Sequence, residues 1–266
     1  MTLLSIITVV KDDADGFRRT RDSLARQRPA QQAGAGLEWL VIDSSGDADG
    51  NGGGQGDGVP ALLSENTAPP STYLWTPPAG VYQAMNVGLD QAKGDYVLFL
   101  NAGDELFDST TVSVIEGRLE RDRPLWLFGQ VCFVSENGNR VTPPPMDYAR
   151  EREASFSRGR FPPHQGTVVK RQVLIDKGGF DTSYRIAADY AACLRLVQQQ
   201  DPVIIGETIA VFYEGGLSTN AWRESMREFH RARRDILRPR GAAAVREWVN
   251  TQLGVTKAAL YRRLVK

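Results

Sequence analysis

One stretch limits the folds open to this chain: Gly94-Asp95-Tyr96-Val97-Leu98-Phe99-Leu100-Asn101-Ala102-Gly103-Asp104-Glu105. Tyr96 to Leu100 is an unbroken apolar run, the length of a strand buried on both faces, and it halts at small, polar and acidic residues. A strand of that kind lies inside a parallel sheet covered by helices on both sides. Such sheets bind ligands just beyond the carboxyl ends of their strands. Asn101, Asp104 and Glu105 are therefore expected to project into a ligand crevice. The plainer reading gives Asp104 or Asp108 the task of capping the next helix.

The rest of the N-terminal part repeats this plan. Leu3 to Val10 is a second continuous run, and the mainly acidic Lys11 to Gly16 joins it to a helical pattern. Phe17, Thr20 and Leu24 fall on one face of that helix, with Arg18, Arg19, Arg21, Asp22 and Arg26 on the other. Glu38 to Ile42 is the next strand and ends at Asp43, again a carboxylate at a strand's carboxyl end. Ser44 to Gly58 is Gly, Asp, Ser and Asn, a surface loop without the G-x-G-x-x-G dinucleotide fingerprint. Tyr73 to Trp75 predicts a short strand, and Val81 to Ala92 a helix that buries Met85, Leu89 and Ala92. The order β-α-β-β-α-β, with the focal strand last, predicts an α/β fold with a mostly parallel sheet.

Further on, Leu125 to Val134 is an apolar strand, and Asn137-Gly138 marks a hairpin back into Arg140-Val141. Pro143 to Arg160 is an irregular, charged loop. Ala187 to Gln200 reads as a helix with Asp189 in its first turn, where the helix dipole favours an ionised carboxylate. Val203 to Phe212 is the last strand region. Cys132 and Cys193 lie in apolar segments without metal-type spacing and are expected to be buried, reduced thiols.

Charge separates the body from the C-terminal tail. The chain carries 32 basic and 32 acidic side chains, but from Ser218 onward twelve basic residues face four acidic ones, leaving an acidic body. An acidic body argues against nucleic-acid binding and suits a site that holds a divalent cation. After Ser218, Trp222, Met226, Phe229 and Leu237, then Val245, Trp248, Val249 and Leu253, then Leu260, Tyr261, Leu264 and Val265 recur at helical spacing. Two readings fit this basic amphipathic tail: contact with an anionic membrane surface, or packing on the core or on a second subunit of a homodimer. No apolar segment reaches the roughly 18–20 residues needed to span a bilayer, and no signal-peptide pattern opens the chain. The expected compartment is the cytoplasm, with possible peripheral attachment to the inner membrane face.

Taken together, the segments Leu4 to Asp13, Val41 to Asp47, Gly80 to Gly88, Gly94 to Asp104, His164 to Thr167 and Gly178 to Tyr190 resemble glycosyltransferase family 2. The look is closest to bacterial enzymes that add one sugar during exopolysaccharide or lipopolysaccharide assembly. The resemblance implies a GT-A fold: a Rossmann-like, mostly parallel central sheet flanked by helices, with a C-terminal helical tail. It implies a glycosyltransferase domain over 1–217, with a nucleotide-sugar-binding half (1–104) and an acceptor-binding half (105–217), and a basic tail over 218–266. The donor would be a nucleoside diphosphate sugar held with Mg²⁺ or Mn²⁺, and the acceptor a saccharide or polyprenyl-linked saccharide. By position, Thr8, Asp12, Asp43, Asn86, Asn101 and His164 would bind the nucleotide sugar, Asp104 the metal, and Asp189 would act as catalytic base. Where the family has its D-x-D metal motif this chain reads Asn101 to Asp104, which leaves one ionisable ligand. Thr76, Pro78 and Gln83 also replace acidic residues of the family.

The chemistry such a site performs can be stated without the family. A departing diphosphate develops negative charge, which a hard divalent cation with oxygen ligands neutralises. A second carboxylate on the opposite face of the sugar takes the acceptor's proton, and in-line displacement inverts the anomeric centre. The thin metal motif keeps a second reading open, a protein that binds sugar nucleotides without transfer. A sugar-phosphate nucleotidyltransferase would need a glycine- and arginine-rich loop where Lys11 to Gly16 is mainly acidic.

Overall fold

The computed structural model describes residues 2–27, 37–46, 58–65, 71–148, 161–214 and 221–264. The glycine-rich stretch over 47–57, most of the loop running to Arg160, Gly215-Gly216, the boundary at 217/218 and Val265 lie outside these described residues. The N-terminal half places strands β1 (Leu4–Val10), β2 (Glu38–Asp43), β3 (Thr72–Trp75) and β4 (Tyr96–Phe99) in the order β3-β2-β1-β4, with every neighbouring pair parallel. Helices α1 (Ala14–Ala25), α2 (Val59–Leu63) and α3 (Val81–Gln91) make the crossovers. Helix α2 is an addition to the sequence-based order and supplies the helix between β2 and β3.

The unbroken apolar runs lie between two layers. Along β1, Leu4 and Ile6 pack with Phe17 and Leu24 of α1 and with Trp39, whereas Ile7 and Val9 pack with Met85 and Leu89 of α3. Alternation of side-chain direction along the strand feeds both cores, which is why apolar residues occur on both faces and its two polar ones, Ser5 and Thr8, are buried. Gly88 lets α3 lie against the sheet, since a Cβ there would meet the Ile7 side chain at 2.4 Å.

Beyond β4 the sheet changes character. Strands β5 (Glu105–Leu106), β6 (Trp126–Val134), β7 (Arg140–Val141), β8 (Thr167–Lys170) and β9 (Val203–Tyr213) extend it in the order β4-β8-β6-β9-β5, with β7 on β6. Here β8 runs antiparallel to both β4 and β6, and β6 is parallel to β9. The predicted hairpin is present: Gly138, at φ +79°, donates its N–H to the Ser135 carbonyl at 2.8 Å, and Val134 pairs with Arg140. The remaining helices are α4 (Thr111–Asp122), α5 (Arg171–Asp176), α6 (Ala188–Val197), α7 (Trp222–Leu237) and α8 (Ala242–Leu264). Cys132 and Cys193 are buried free thiols, as expected.

Two charged side chains assigned to solvent by periodicity are inside. Arg21 is 4% exposed; its guanidinium donates to the Leu62 carbonyl at 2.9 Å and pairs with Glu65, fastening α2 to α1. In the tail, Arg233 is equally buried and joins α7 to α8 through Glu247 at 2.7 Å and Thr251 at 2.9 Å. Phe229 of α7 packs edge-on to Tyr190 of α6 and to Phe161, and Ala232 is fully buried. The apolar stripe of α7 is thus used internally, while Val245, Trp248 and Leu253 of α8 stay exposed. Among the described residues, no helix is long and apolar enough to cross a membrane.

Candidate active site

The strand order reverses between β1 and β4, the place where open α/β sheets leave a crevice. On the β4 side the chain continues beside β1, with the Leu100 and Ala102 amides donating to the Ile7 and Val9 carbonyls at 3.0 Å. It then turns at Gly103, whose φ of +98° is open to glycine. Thr20 of α1 holds the turn: its hydroxyl lies 2.7 Å from the Asp104 carbonyl and accepts the Gly103 amide at 3.1 Å. The capping alternative is met by neither Asp104 nor Asp108: the N-cap of α4 is Thr110, and Asp108 accepts the Thr110 amide at 2.8 Å in the turn before it.

Asp104 does not project freely as expected; it is 5% exposed. Burial pushes its carboxyl from the ordinary 3.8 up to about 7, against the opposing pull of His164, a hydrogen bond from Gln165, the Asn101 backbone and Arg19.

Asp189 is built from the other half of the molecule. It sits in the first turn of α6, and the turn that leads there is held from the tail. Glu228 of α7 accepts the backbone N–H groups of Arg185, Ile186 and Ala187 at 2.8, 2.8 and 2.9 Å. Tyr82 of α3 lies with its hydroxyl 3.1 Å from Asp189 Oδ1 and against the Ile186 carbonyl. Burial and the neighbouring Asp189 carboxylate hold that phenol well above its usual range, so it stays a donor.

His164 joins the two halves. Its short 3₁₀ turn, His164–Gly166, precedes β8; Nδ1 lies 3.4 Å from Asp189 Oδ2 and Nε2 3.1 Å from Asn101 Nδ2. An amide nitrogen can only donate, so the network assigns the neutral tautomer in which Nε2 accepts from Asn101 and Nδ1–H donates to Asp189. The other amide atom, Asn101 Oδ1, is then left buried without a partner. That orphan oxygen and the Asp104 carboxylate are hard donors from one turn, and they fit a Mg²⁺ or Mn²⁺ whose other ligands are diphosphate oxygens and water. Among the described residues, no three His, Cys, Asp or Glu side chains gather as a self-sufficient metal cluster.

The remaining sequence-predicted residues divide. Asp12, at φ +52°, and Asp43 grip one turn: Asp12 Oδ1 accepts the Gly46 amide at 3.0 Å and Asp43 Oδ1 the Ser45 amide at 2.8 Å. The second Asp43 oxygen accepts the Tyr73 hydroxyl at 3.0 Å. Thr8 does not reach the crevice. It is fully buried, because strand alternation turns it toward the α1 layer, where it accepts Trp39 Nε1 at 3.0 Å. Asn86 is likewise spent on structure, donating to the Phe180 carbonyl and accepting the Phe180 amide, both at 2.8 Å. It fixes the Gly178-Gly179 turn, and Phe180 in turn stacks on Tyr82. Arg185, in the turn before α6, pairs with Glu224 at 2.9 Å. Glu105 accepts the Tyr213 hydroxyl at 2.7 Å and is turned to β9.

Sequence reading missed Tyr82, Gln165, Thr20 and Glu228 as parts of the site. Tyr82 and Gln165 each stand inside a segment already singled out, beside Gly80 and His164. Nothing in the sequence marks Glu228, which acts across 41 to 43 positions. A cavity of about 850 Å³ opens beside the site, with His164, Gln165 and Asp189 on its wall.

No protein-family model matches the chain. It is 30% identical over 223 residues to the uncharacterised glycosyltransferase Rv1514c of Mycobacterium tuberculosis, covering 82% of this chain and 77% of that one. Its fold is similar to that of S. aureus TarS 1–349 in complex with UDP-GlcNAc, with TM-score 0.62 at 16% identity over 92% of this chain and 69% of that one. The full-length TarS chain is spanned to 41%. It is also similar to the mannosyltransferase PcManGT of Pyrobaculum calidifontis in complex with GDP-Man and Mn²⁺, with TM-score 0.63 at 16% identity over 97% of this chain and 75% of that one.

Proposed function

The chain belongs to the glycosyltransferases, and on that premise we propose that it is an inverting, metal-assisted enzyme acting on a nucleoside diphosphate sugar. The acceptor is a saccharide or lipid-linked saccharide in the assembly of a cell-surface polysaccharide. The observation that carries this reading is His164, which meets Asp189 with one ring nitrogen and Asn101 with the other, 3.4 and 3.1 Å away. An acidic position and an amide from the turn that carries Asp104, distant in the sequence, are thereby brought to opposite ends of one imidazole.

Asp189 takes the proton of the acceptor hydroxyl as its oxygen attacks the anomeric carbon. Tyr82 and His164 orient the two carboxylate oxygens, and Glu228 fixes the backbone that presents them. Asp104 and Asn101 Oδ1 would hold the divalent cation, which when bound would offset the charge developing on the diphosphate. Asp12 and Asp43, through the Ser44 to Gly46 turn, shape the crevice edge that receives the nucleoside. That the neighbouring structures hold UDP-GlcNAc, or GDP-Man with Mn²⁺, supports the donor class and the cation.

The test is a thermal-shift screen of nucleotide sugars with and without Mn²⁺, followed by nucleoside diphosphate release in the presence of acceptors. Ligand linkage raises the melting temperature only for a donor that binds. The reading requires a Mn²⁺-dependent shift with at least one donor and release that depends on acceptor. A donor-induced shift with no release from any acceptor would leave a sugar-nucleotide-binding protein.

A further inference from the structure

The cavity beside Asp189 has an unusual wall for a site that is to receive a sugar. Phe128, Phe161, Ile204, Phe212, Met226 and Phe229 line it, together with five prolines from the segments around Pro144 and Pro162. Among the described residues that line it, Asp189 is the one carboxylate and there is no lysine or arginine. At about 850 Å³ it is large enough for a drug-sized ligand. A free saccharide brings a hydroxyl on nearly every carbon, and each one buried against such a wall without a partner is unfavourable. A hydrocarbon body avoids that penalty and gains from leaving water.

We propose that this cavity is the acceptor site and that the reacting hydroxyl is borne on an uncharged apolar body, alkyl or aryl, seated among these side chains. This rests on the transferase reading above. In the step, the acceptor O–H proton passes to the Asp189 carboxylate and the new bond forms between that oxygen and the anomeric carbon. The bond from the anomeric carbon to the diphosphate breaks, and its electron pair leaves with the nucleoside diphosphate. Asp189 and His164 lie together on the cavity wall beside Gln165, and the other polar side chains there, Gln130 and Ser225, are bonded to the Pro143 and Ala221 carbonyls, so a polar end at Asp189 and an apolar body describe the occupant.

The test is calorimetric titration of the full chain with methyl, octyl and phenyl β-glucosides below micelle-forming concentration, with transfer to the same three compounds measured in parallel. The octyl or the phenyl glucoside binds about tenfold or more tightly than the methyl glucoside, and which of the two leads tells alkyl from aryl. In Met226→Gln and Ile204→Gln, made at partly exposed positions, that advantage falls about fivefold or more while the melting temperature holds. Equal binding of all three glucosides, or an advantage untouched by both substitutions, overturns the proposal. Transfer to methyl glucoside as fast as to the others also overturns it and leaves the transferase reading standing. The binding order without transfer from any donor keeps the apolar site and removes the enzyme.

Discussion

Asp189 touches the His164 imidazole and Asp104 lies in the turn whose Asn101 touches the other side of that ring, yet the surroundings of the two carboxylates are built on opposite principles. Around Asp104 the protein buries a charge and supplies little to offset it; the carboxyl is held up to about 7 and a neighbouring amide oxygen has no partner. Around Asp189 it supplies two side-chain donors, Tyr82 of α3 and His164 of the turn before β8, on a backbone frame fixed by Glu228 of α7. A group awaiting a cation should be under-satisfied until the cation arrives, whereas a base must already be aimed when the acceptor does. The first region is costly for the unliganded fold; the second is rigid without ligand.

The largest expected effect breaks the comparison at its catalytic end. Asp189→Asn keeps shape and hydrogen-bonding capacity but removes the proton acceptor. Transfer should fall by about 10²–10⁴-fold, with the donor-induced thermal shift unchanged. Turnover within a few-fold of the native chain would show that Asp189 is a positioning group and the base lies elsewhere.

At the other end the signature is in stability. A carboxyl raised from 3.8 to about 7 binds a proton more tightly in the folded than in the unfolded chain. The stability it contributes is therefore present below about pH 4 and lost as pH rises through 7. With EDTA present, Asp104→Asn should be the more stable protein at pH 8, by up to ~4 kcal/mol, and the difference should close by pH 4. Mn²⁺ with donor should recover the native chain at pH 8 and not the variant. Melting curves across that range check both statements, and a gap independent of pH would remove the buried-charge account.

How far the sequence foretells this contrast depends on the range of the interactions. The strands, their two-sided burial and the positions of Asp104 and Asp189 follow from local pattern, because an apolar run such as Tyr96 to Leu100 has one stable environment. The failures have a common cause. Thr8 and Asn86 carry polar groups that could serve a ligand or the chain itself, and only the packed structure reveals Trp39 and the Phe180 backbone as their partners. Arg21 was misassigned because helical periodicity counts charge as exposure, whereas a single partner such as Glu65 allows a guanidinium inside. Glu228 was invisible because a helix can be capped from a distant segment as well as by its own preceding residue.

Glu228 also sharpens the comparison, with a smaller effect. One carboxylate accepts three backbone amides just before α6, charge-assisted bonds that a neutral amide can keep only in part. Glu228→Gln should lower kcat about tenfold with little change in KM for the donor, because the nucleotide crevice belongs to the other half. Glu228→Ala should lose more, and its melting temperature should fall. A donor KM that rises as much as kcat falls would mean that the tail helix supports the whole crevice rather than the Asp189 frame.

The smallest effect on the fold is expected on α8, and it separates the two parts of the basic tail. Helix α7 is bound into the core through Phe229, Ala232 and Glu228, so removing everything after 218 would strip the cover from Tyr190 and Phe161 and confuse loss of fold with loss of binding. Helix α8 is tied down by Glu247 and Thr251, yet shows solvent Trp248 at 56% and Leu253 at 55% exposure. Apolar side chains on a helix that also shows solvent an arginine, Arg246, are what an anionic bilayer surface attracts. Trp248→Ser with Leu253→Ser should leave the melting temperature within about a degree and transfer to a water-soluble acceptor unchanged, since surface substitutions seldom exceed ~0.5 kcal/mol. Sedimentation with vesicles containing anionic lipid should fall, and gel filtration should keep its elution volume. If the double variant instead elutes later and still sediments with vesicles, the exposed face of α8 joins two copies of the chain and the membrane role of the tail is lost.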